Sequence, residues 1–579
     1  MSNPELSRRD SAQGAEGDTP ALSLGIILAL SVIFASLALA IYWPSLNGPF
    51  LSDDLFYIVK NPWVEEISGE NVLGIFDPFG EARAQGANYA PLTLLSIAFE
   101  RAIFFDDPFG YHVVNVLLHA LNATLLVALL FTTGLRLPIA VAGGLFFLVH
   151  PGNVEAVAWP SQIKTNGSLV FLFGSLLAVR RHPGWATLLF VAGLLTKASA
   201  AAALPMAAAL LWCRGEKVDH ARSTWIWLAL WLLLFLLYSV PQLDTIHPRG
   251  TTVVPAYEDV GVHLRTIASI GVHYLVMAYT TLGIAHAQEH PPVFSWLDPW
   301  WLAAIPLTAF FVWRIVVGLR DRKIESFYWI GAAASFVPVS QLMPFLYPIA
   351  NRYLYFLLPG LIGGTLFLLR DVTDWLSRRR ADSSSTWPPA FRLVTAVVVL
   401  TGMLSMSAIS TQRAHLWTDQ TLLSVDSARH FPEGREALIL RAKEKAQAGD
   451  AAGSVELLRR AADLGRNLIQ PLLLDEGLAP IANDPLFRAL IFDLAGRYLE
   501  RVSTHDRPIQ SELGAMSMAH FERGEVDEAV DALERAVAHG GPYSEDFALE
   551  LEYLKALRQQ MQVPQPTPWR PNRVPSTSD

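Results

Sequence analysis

The chain of 579 residues carries a single cysteine, Cys213, so neither an intrachain disulfide nor a cysteine-clustered metal site can form. Charge is scarce as well: 17% of the residues are Asp, Glu, Lys or Arg, against 52% hydrophobic, and mean hydropathy is +0.31. That apolar excess is beyond what ordinary soluble proteins show, and it marks a polytopic membrane protein. The net charge of −9 says little alone, because the sign of the charges differs between segments. No nucleic acid is expected among its partners.

What is present is a succession of apolar runs. Residues 1–20 are polar and read as a disordered cytoplasmic tail, and residues 561–579 at the other end read as a second disordered tail. The run 21–43 ends in "IYWPSLNG", with an interfacial Tyr and Trp, and is read as an uncleaved anchor. Further runs lie near 113–132, 137–150, 167–180, 185–197, 198–213, 224–241, 266–284, 300–318, 327–346, 350–370 and 391–409, which makes twelve candidates for spans of ~20 residues.

Charge assigns sides. The clusters Arg180-Arg181, "RGEKVDHAR" (214–222), "RDRK" (320–323) and Arg378-Arg379-Arg380 belong on the cytoplasmic side. Three candidates lie between the second and third clusters, where an even number of crossings is needed. The segment 266–284, with His273, Tyr274 and Tyr279, is therefore expected to be re-entrant or interfacial, leaving about eleven crossings. The loops 44–112, 151–166, 242–299 and 346–351 and the tail after 410 then face outward, with Asp53 and Asp54 in the first outer loop.

From about 411 to 560 the chain becomes charged and rich in Ala and Leu. "AKEKAQAGDAAGSVELLRRAADLG" (442–465) and "MAHFERGEVDEAVDALERAVAHGG" (518–541) align Gly449 with Gly524, Ser454 with Ala529, Leu458 with Leu533 and Ala461 with Ala536. Those are the small and large packing positions of a tetratricopeptide helix pair, and an array of such pairs offers a concave face to a peptide or partner. The expected fold is all-α: a membrane domain over 21–410 followed by a soluble repeat domain over 411–560.

"FLSDDLFYIVKNP" (50–62), "YAPLTLLSIAFE" (89–100), "PFGYHVVNVLLHALNATLL" (108–126), "HPGNVEAVAWPSQIKTNGSLVF" (150–171), "LLTKASAAALP" (194–205) and "ANRYLYFLLPG" (350–360) occur in this order ahead of the repeats. In this the chain resembles the transmembrane and tetratricopeptide-repeat-containing O-mannosyltransferases and their bacterial relatives, of the GT-C glycosyltransferase superfamily. The resemblance implies an integral-membrane enzyme that takes a sugar, mannose by family, from a polyprenyl-phosphate carrier on the periplasmic or lumenal face. It implies a catalytic carboxylate in the first outer loop, where Asp53 and Asp54 stand. Neighbouring side chains diverge, so one faces the cavity while the other caps, orients or binds a cation. A simple N-cap by "SDD" on the following helix is the plainer alternative.

The leaving phosphate requires cations, and four basic residues break the outward charge bias: Lys60, Lys164, Lys197 and Arg352. Lys197 interrupts an apolar stretch, where an isolated charge is costly; the alternative is snorkelling to the headgroups. Lys164, Lys197 and Arg352 are the expected donor-phosphate ligands, Arg352 through its fork of donors or, alternatively, as an interfacial anchor with Tyr353. His112, Asn115, His150, Glu155 and Tyr353 are candidates to line the cavity; His119, mid-helix, reads as a packing residue. No cofactor or metal is expected, and a divalent cation is not favoured. Composition suggests a bacterial inner membrane with a periplasmic tail. Rival readings are a non-catalytic scaffold that recruits an envelope partner, or a transporter of lipid-linked saccharide; the latter predicts two related halves that the sequence does not show.

Overall fold

A computed structural model describes residues 22–86, 88–215, 218–243, 259–342, 348–379, 389–464, 469–503, 508–541 and 543–560. The tails 1–20 and 561–579 lie outside these residues. Among the described residues all regular structure is helical.

Seven helices are long and apolar enough to cross a membrane: Leu24–Ser45, Pro108–Thr132, Trp225–Leu243, Val260–Thr280, Pro299–Arg320, Asn351–Arg379 and Arg392–Thr418. An eighth is reached if Leu137–Val149 and Pro151–Ala158, bent by 52°, count as one span. This is fewer than the eleven expected from apolar runs, for a reason of length. The runs at 167–180, 185–197, 198–213 and 327–346 fold as helices of 16, 14, 12 and 12 residues. At ~1.5 Å per residue each falls short of the ~30 Å hydrocarbon core. The expected re-entrant segment 266–284 also differs: it belongs to the continuous 21-residue helix Val260–Thr280. The sharp bend sits instead at His150, where Pro151 stops the preceding helix.

The helix Pro108–Thr132 runs through the middle of the membrane domain and is held by buried polar contacts. His119 Nδ1 lies 2.9 Å from the Tyr355 hydroxyl and its Nε2 lies 3.0 Å from the Leu148 carbonyl. Tyr355 donates to Asn166 Oδ1 at 2.6 Å, and Asn122 donates to the Asn166 carbonyl at 2.9 Å. Each of these side chains makes at least one buried hydrogen bond, although among the described residues Asn122 Oδ1 is left without a partner. His119 is thus the packing residue its position suggested.

The C-terminal part contains two equivalent helical hairpins, Arg435–Gln447 with Ala451–Asp463 and Gln510–Glu522 with Val526–Ala538. Gly449 (φ +78°) and Gly524 (φ +79°) make the matching turns in the left-handed region that favours glycine. Leu458, Ala461, Leu533 and Ala536 are fully buried, and Ser454 and Ser517 each donate to a carbonyl of the facing helix, of Ala442 and Ala529 respectively. The stretch between the hairpins holds the short helix Ile469–Leu474, a 3-10 turn over Glu476–Ile481 and the longer helix Pro485–Val502. This domain docks on the membrane domain at its start: the His286 and Ala287 amides donate to Asp426 and Ser427, and Glu289 accepts the amides of Arg435 and Glu436.

Candidate active site

The loop 44–112 meets the rest of the molecule at Gly48. Its carbonyl lies 3.1 Å from His112 Nε2, and a Cβ on Gly48 would stand 2.6 Å from the Trp417 carbonyl, so only glycine fits this approach. Trp159 Nε1 donates to the Leu51 carbonyl at 3.1 Å. Directly after these anchors Ser52 takes φ +53°, an uncommon conformation for a residue with a side chain. Leu55–Val59 then form a π-helical turn, closed by Lys60 N to Leu55 O at 2.9 Å. Left-handed non-glycine residues and π turns concentrate at functional sites.

These constraints separate the two aspartates. Asp54 is fully buried, and its carboxylate accepts from the Leu51 amide at 3.0 Å and from the Ser161 amide at 2.8 Å. Asp53 is exposed. Asp54 stands at the N-cap position of the turn that follows but makes no side-chain cap bond there; its carboxylate joins the Leu51 and Ser161 segments instead. Burial pushes the Asp54 carboxyl up to about 7, although the two amide bonds pull it down, and the charge of Asp53 adds a smaller upward push.

A second carboxylate lies behind them. Glu100, in the helix Pro91–Phe104, is 5% exposed, and among the described residues neither of its oxygens has a hydrogen-bond partner. Burial, and after it the charge of Asp54, holds this carboxyl well above the usual range. Its neighbour Arg101 clamps the π turn by donating to the Ile58 carbonyl at 2.6 Å. Glu100 was not singled out from the sequence. The available signal was spacing, since Thr93 and Ile97 share its helix face and both are buried.

The three expected phosphate ligands come together. Lys197 lies in the turn between two short apolar helices and donates to Thr165 Oγ1 at 2.7 Å; Thr93 Oγ1 donates to the Thr196 carbonyl at 2.7 Å, tying this turn to the first outer loop. Lys164 Nζ stands 4.0 Å above the ring of Tyr57. Arg352 pairs with Glu155, whose other oxygen accepts the Arg352 amide at 3.2 Å. Lys164, Arg352 and Glu155 are all close enough for their charges to act on Lys197. Among the described residues Lys164 and Lys197 have no ion-pair partner, so the cluster sets three basic groups against one carboxylate; burial, then the charges of Lys164 and Arg352, hold the Lys197 amine well below its ordinary value, an imbalance that a bound anion would relieve. Lys60, the fourth outward cation, is committed to Asp546 of the C-terminal domain.

The remaining candidates form the frame. His150 is fully buried, with Nδ1 accepting the Gly152 amide at 3.1 Å and Nε2 lying 3.1 Å from the Ala278 carbonyl. Asn115 donates to the Trp159 and Pro160 carbonyls at 2.9 and 3.0 Å. His112 and Asn115 therefore hold backbone of the outer segments, while the Tyr353 ring lies 5.0 Å beneath the Arg352 guanidinium. Among the described residues no three His, Cys, Asp or Glu side chains gather in a way that could hold a metal ion.

No family model matches the chain. Part of it is similar to Protein O-mannosyl-transferase TMTC1 of Homo sapiens, at 34% identity over 158 residues, which is 26% of this chain and 18% of that protein. Protein O-mannosyl-transferase Tmtc1 of Drosophila melanogaster is 33% identical over 187 residues, 29% of this chain and 21% of the relative. Protein O-mannosyl-transferase Tmtc2 of the same organism is 29% identical over 227 residues, 35% and 24% respectively. The matched stretches thus span less than a quarter of each of these relatives. Over these stretches the chain resembles the protein O-mannosyl-transferases of the TMTC group.

Proposed function

We propose that this multi-pass membrane protein is a glycosyltransferase that moves a sugar, mannose by its resemblance, from a polyprenyl-phosphate donor to a Ser or Thr hydroxyl of a polypeptide on the outer face. The carrying observation is the surplus of cations at Lys164, Lys197 and Arg352 around one carboxylate, set beside the strained loop that exposes Asp53. An apolar groove of about 400 Å³, lined by Pro78, Phe79, Leu194, Leu195, Leu237 and Tyr238, runs beside the Lys197 turn and suits the polyprenyl chain.

In this reading Asp53 takes the proton of the acceptor hydroxyl as its oxygen attacks the anomeric carbon, while the bond to the phosphate oxygen breaks on the opposite side. One displacement inverts the centre. The leaving phosphate passes its charge to the three cations, and Asp54 fixes the loop through Leu51 and Ser161. No divalent cation takes part. Three of the short apolar helices, packed within protein, bring the eight candidate spans to eleven crossings in a bacterial inner membrane, and the C-terminal hairpins form a periplasmic tetratricopeptide array that engages the acceptor or a partner.

The test is reconstitution of the full chain in vesicles with radiolabelled polyprenyl-phosphate mannose or glucose and a pool of Ser/Thr-containing polypeptides. Label in polypeptide that requires the protein supports the reading. Absence of transfer from either donor, with Asp53→Asn and Asp54→Asn both complementing a deletion strain as wild type does, would leave the non-catalytic scaffold.

A further inference from the structure

The C-terminal domain touches the membrane domain a second time, directly beside the exposed aspartate. Phe56 and Lys60 belong to the turn that follows Asp53 and Asp54. The Tyr543 ring stands 6.3 Å from Phe56, and Lys60 Nζ lies 5.8 Å from the Tyr543 ring centre. Lys60 also forms an ion pair with Asp546, in the first turn of the helix Ser544–Gln560. That end of the helix is held in place, since Gln510 accepts the Tyr543 amide at 3.1 Å and donates to Ser544 Oγ at 2.9 Å. Burial, then the charges of Asp53 and Asp546, raise the Tyr543 phenol, which places the ring within electrostatic reach of the exposed carboxylate.

The domain therefore bridges the outer face, anchored at Glu289 by its first hairpin and at Lys60 by its last helix. Asp53 is exposed within electrostatic reach of Tyr543. We infer that Tyr543 and Phe56 form one wall of the entry by which an extended polypeptide brings its hydroxyl to Asp53, with the Lys60–Asp546 pair setting the position of that wall. This inference rests on the transferase reading. The occupant is identified by chemistry: the aromatic pair suits apolar or flat groups flanking the hydroxyl, and the exposed carboxylate of Asp53 favours neutral or basic neighbours over acidic ones. Tyr543 is a positioning residue, 487 residues of chain removed from Phe56 by sequence but in contact with it in the fold.

Two measurements test this on the full-length protein in vesicles. Lys60 and Asp546 are each 37% exposed, so a zero-length carbodiimide should join them by an amide bond, seen by peptide mass spectrometry and lost in Asp546→Asn. Failure of wild type to cross-link overturns the inference whatever the activity. In kinetics, Tyr543→Ala should raise the acceptor KM about tenfold, with donor KM within twofold and Tyr543→Phe close to wild type. Lys60→Asp should act in the same direction, and the swap Lys60→Asp with Asp546→Lys should restore the acceptor KM. An acceptor KM that stays within twofold in Tyr543→Ala, while the cross-link forms, contradicts the inference but leaves the transferase reading standing. If wild type cross-links yet transfers no sugar, the transferase reading fails and the acceptor entry falls with it.

Discussion

Glu155 and Arg352, 197 residues apart in the chain, meet in a nearly buried pair in which Arg352 offers both its guanidinium and its own backbone amide. Glu155 is 2% exposed, so its charge depends on that partner. Removing one side of such a pair costs more than removing both.

Arg352→Gln is thus expected to destabilise the protein by ~3–5 kcal/mol, because a buried carboxylate is left unpaired. The double variant Glu155→Gln with Arg352→Gln should recover most of that loss in thermal unfolding in detergent. It should not recover donor binding, since the guanidinium fork of Arg352 is missing from both. Recovery of donor KM together with stability would show that Arg352 is only a structural partner.

Asp54 predicts a pH dependence of stability with a definite sign. Unfolded, its carboxyl ionises near ~4; folded, it holds its proton up to about 7. Between those values the native state binds more protons, so this contribution is full at the acid end and is lost as pH rises through about 7. Melting temperatures measured across that window should fall with pH in wild type and fall less in Asp54→Asn. A steeper decline in the variant would contradict the assignment.

Glu100 is held in its neutral form by burial and by the neighbouring Asp54. Glu100→Gln copies the shape of the acid and removes the proton that must be kept. Its stability should match wild type in mild acid and exceed it progressively as pH rises, the difference being read by chemical denaturation at two pH values. Equal stability at both would show that the carboxyl finds a partner.

Much of this was legible in the chain. Cations out of place at Lys164, Lys197 and Arg352 stood against the outward charge bias, and the alignment of Gly449 with Gly524 marked two hairpins whose turns do share a left-handed glycine. What decides between Asp53 and Asp54 was not legible, because it depends on the amide of Ser161, 107 residues further on. The same holds for Lys60, whose partner Asp546 is 486 residues away. The span count read from composition exceeds the number of long apolar helices because 185–197 and 198–213, apolar throughout but for Lys197, break at the Lys197 turn into helices too short to cross alone.

If Lys164, Lys197 and Arg352 carry the leaving phosphate, transfer should be unaffected by chelation with EDTA and not restored or raised by added Mg²⁺ or Mn²⁺. Loss of transfer on chelation, with recovery on adding one ion, would require a cation beside Asp53 and Asp54.

The most direct measurement compares wild type, Asp53→Asn and Asp54→Asn, at equal amounts in vesicles, for transfer of labelled sugar from polyprenyl phosphate to polypeptide. Loss of the base should cost at least ~100-fold, so Asp53→Asn is expected to be inactive at normal melting temperature, whereas Asp54→Asn keeps reduced transfer and loses stability contacts at Leu51 and Ser161. Full activity in Asp53→Asn with none in Asp54→Asn would contradict the assignment of the exposed carboxylate as the base.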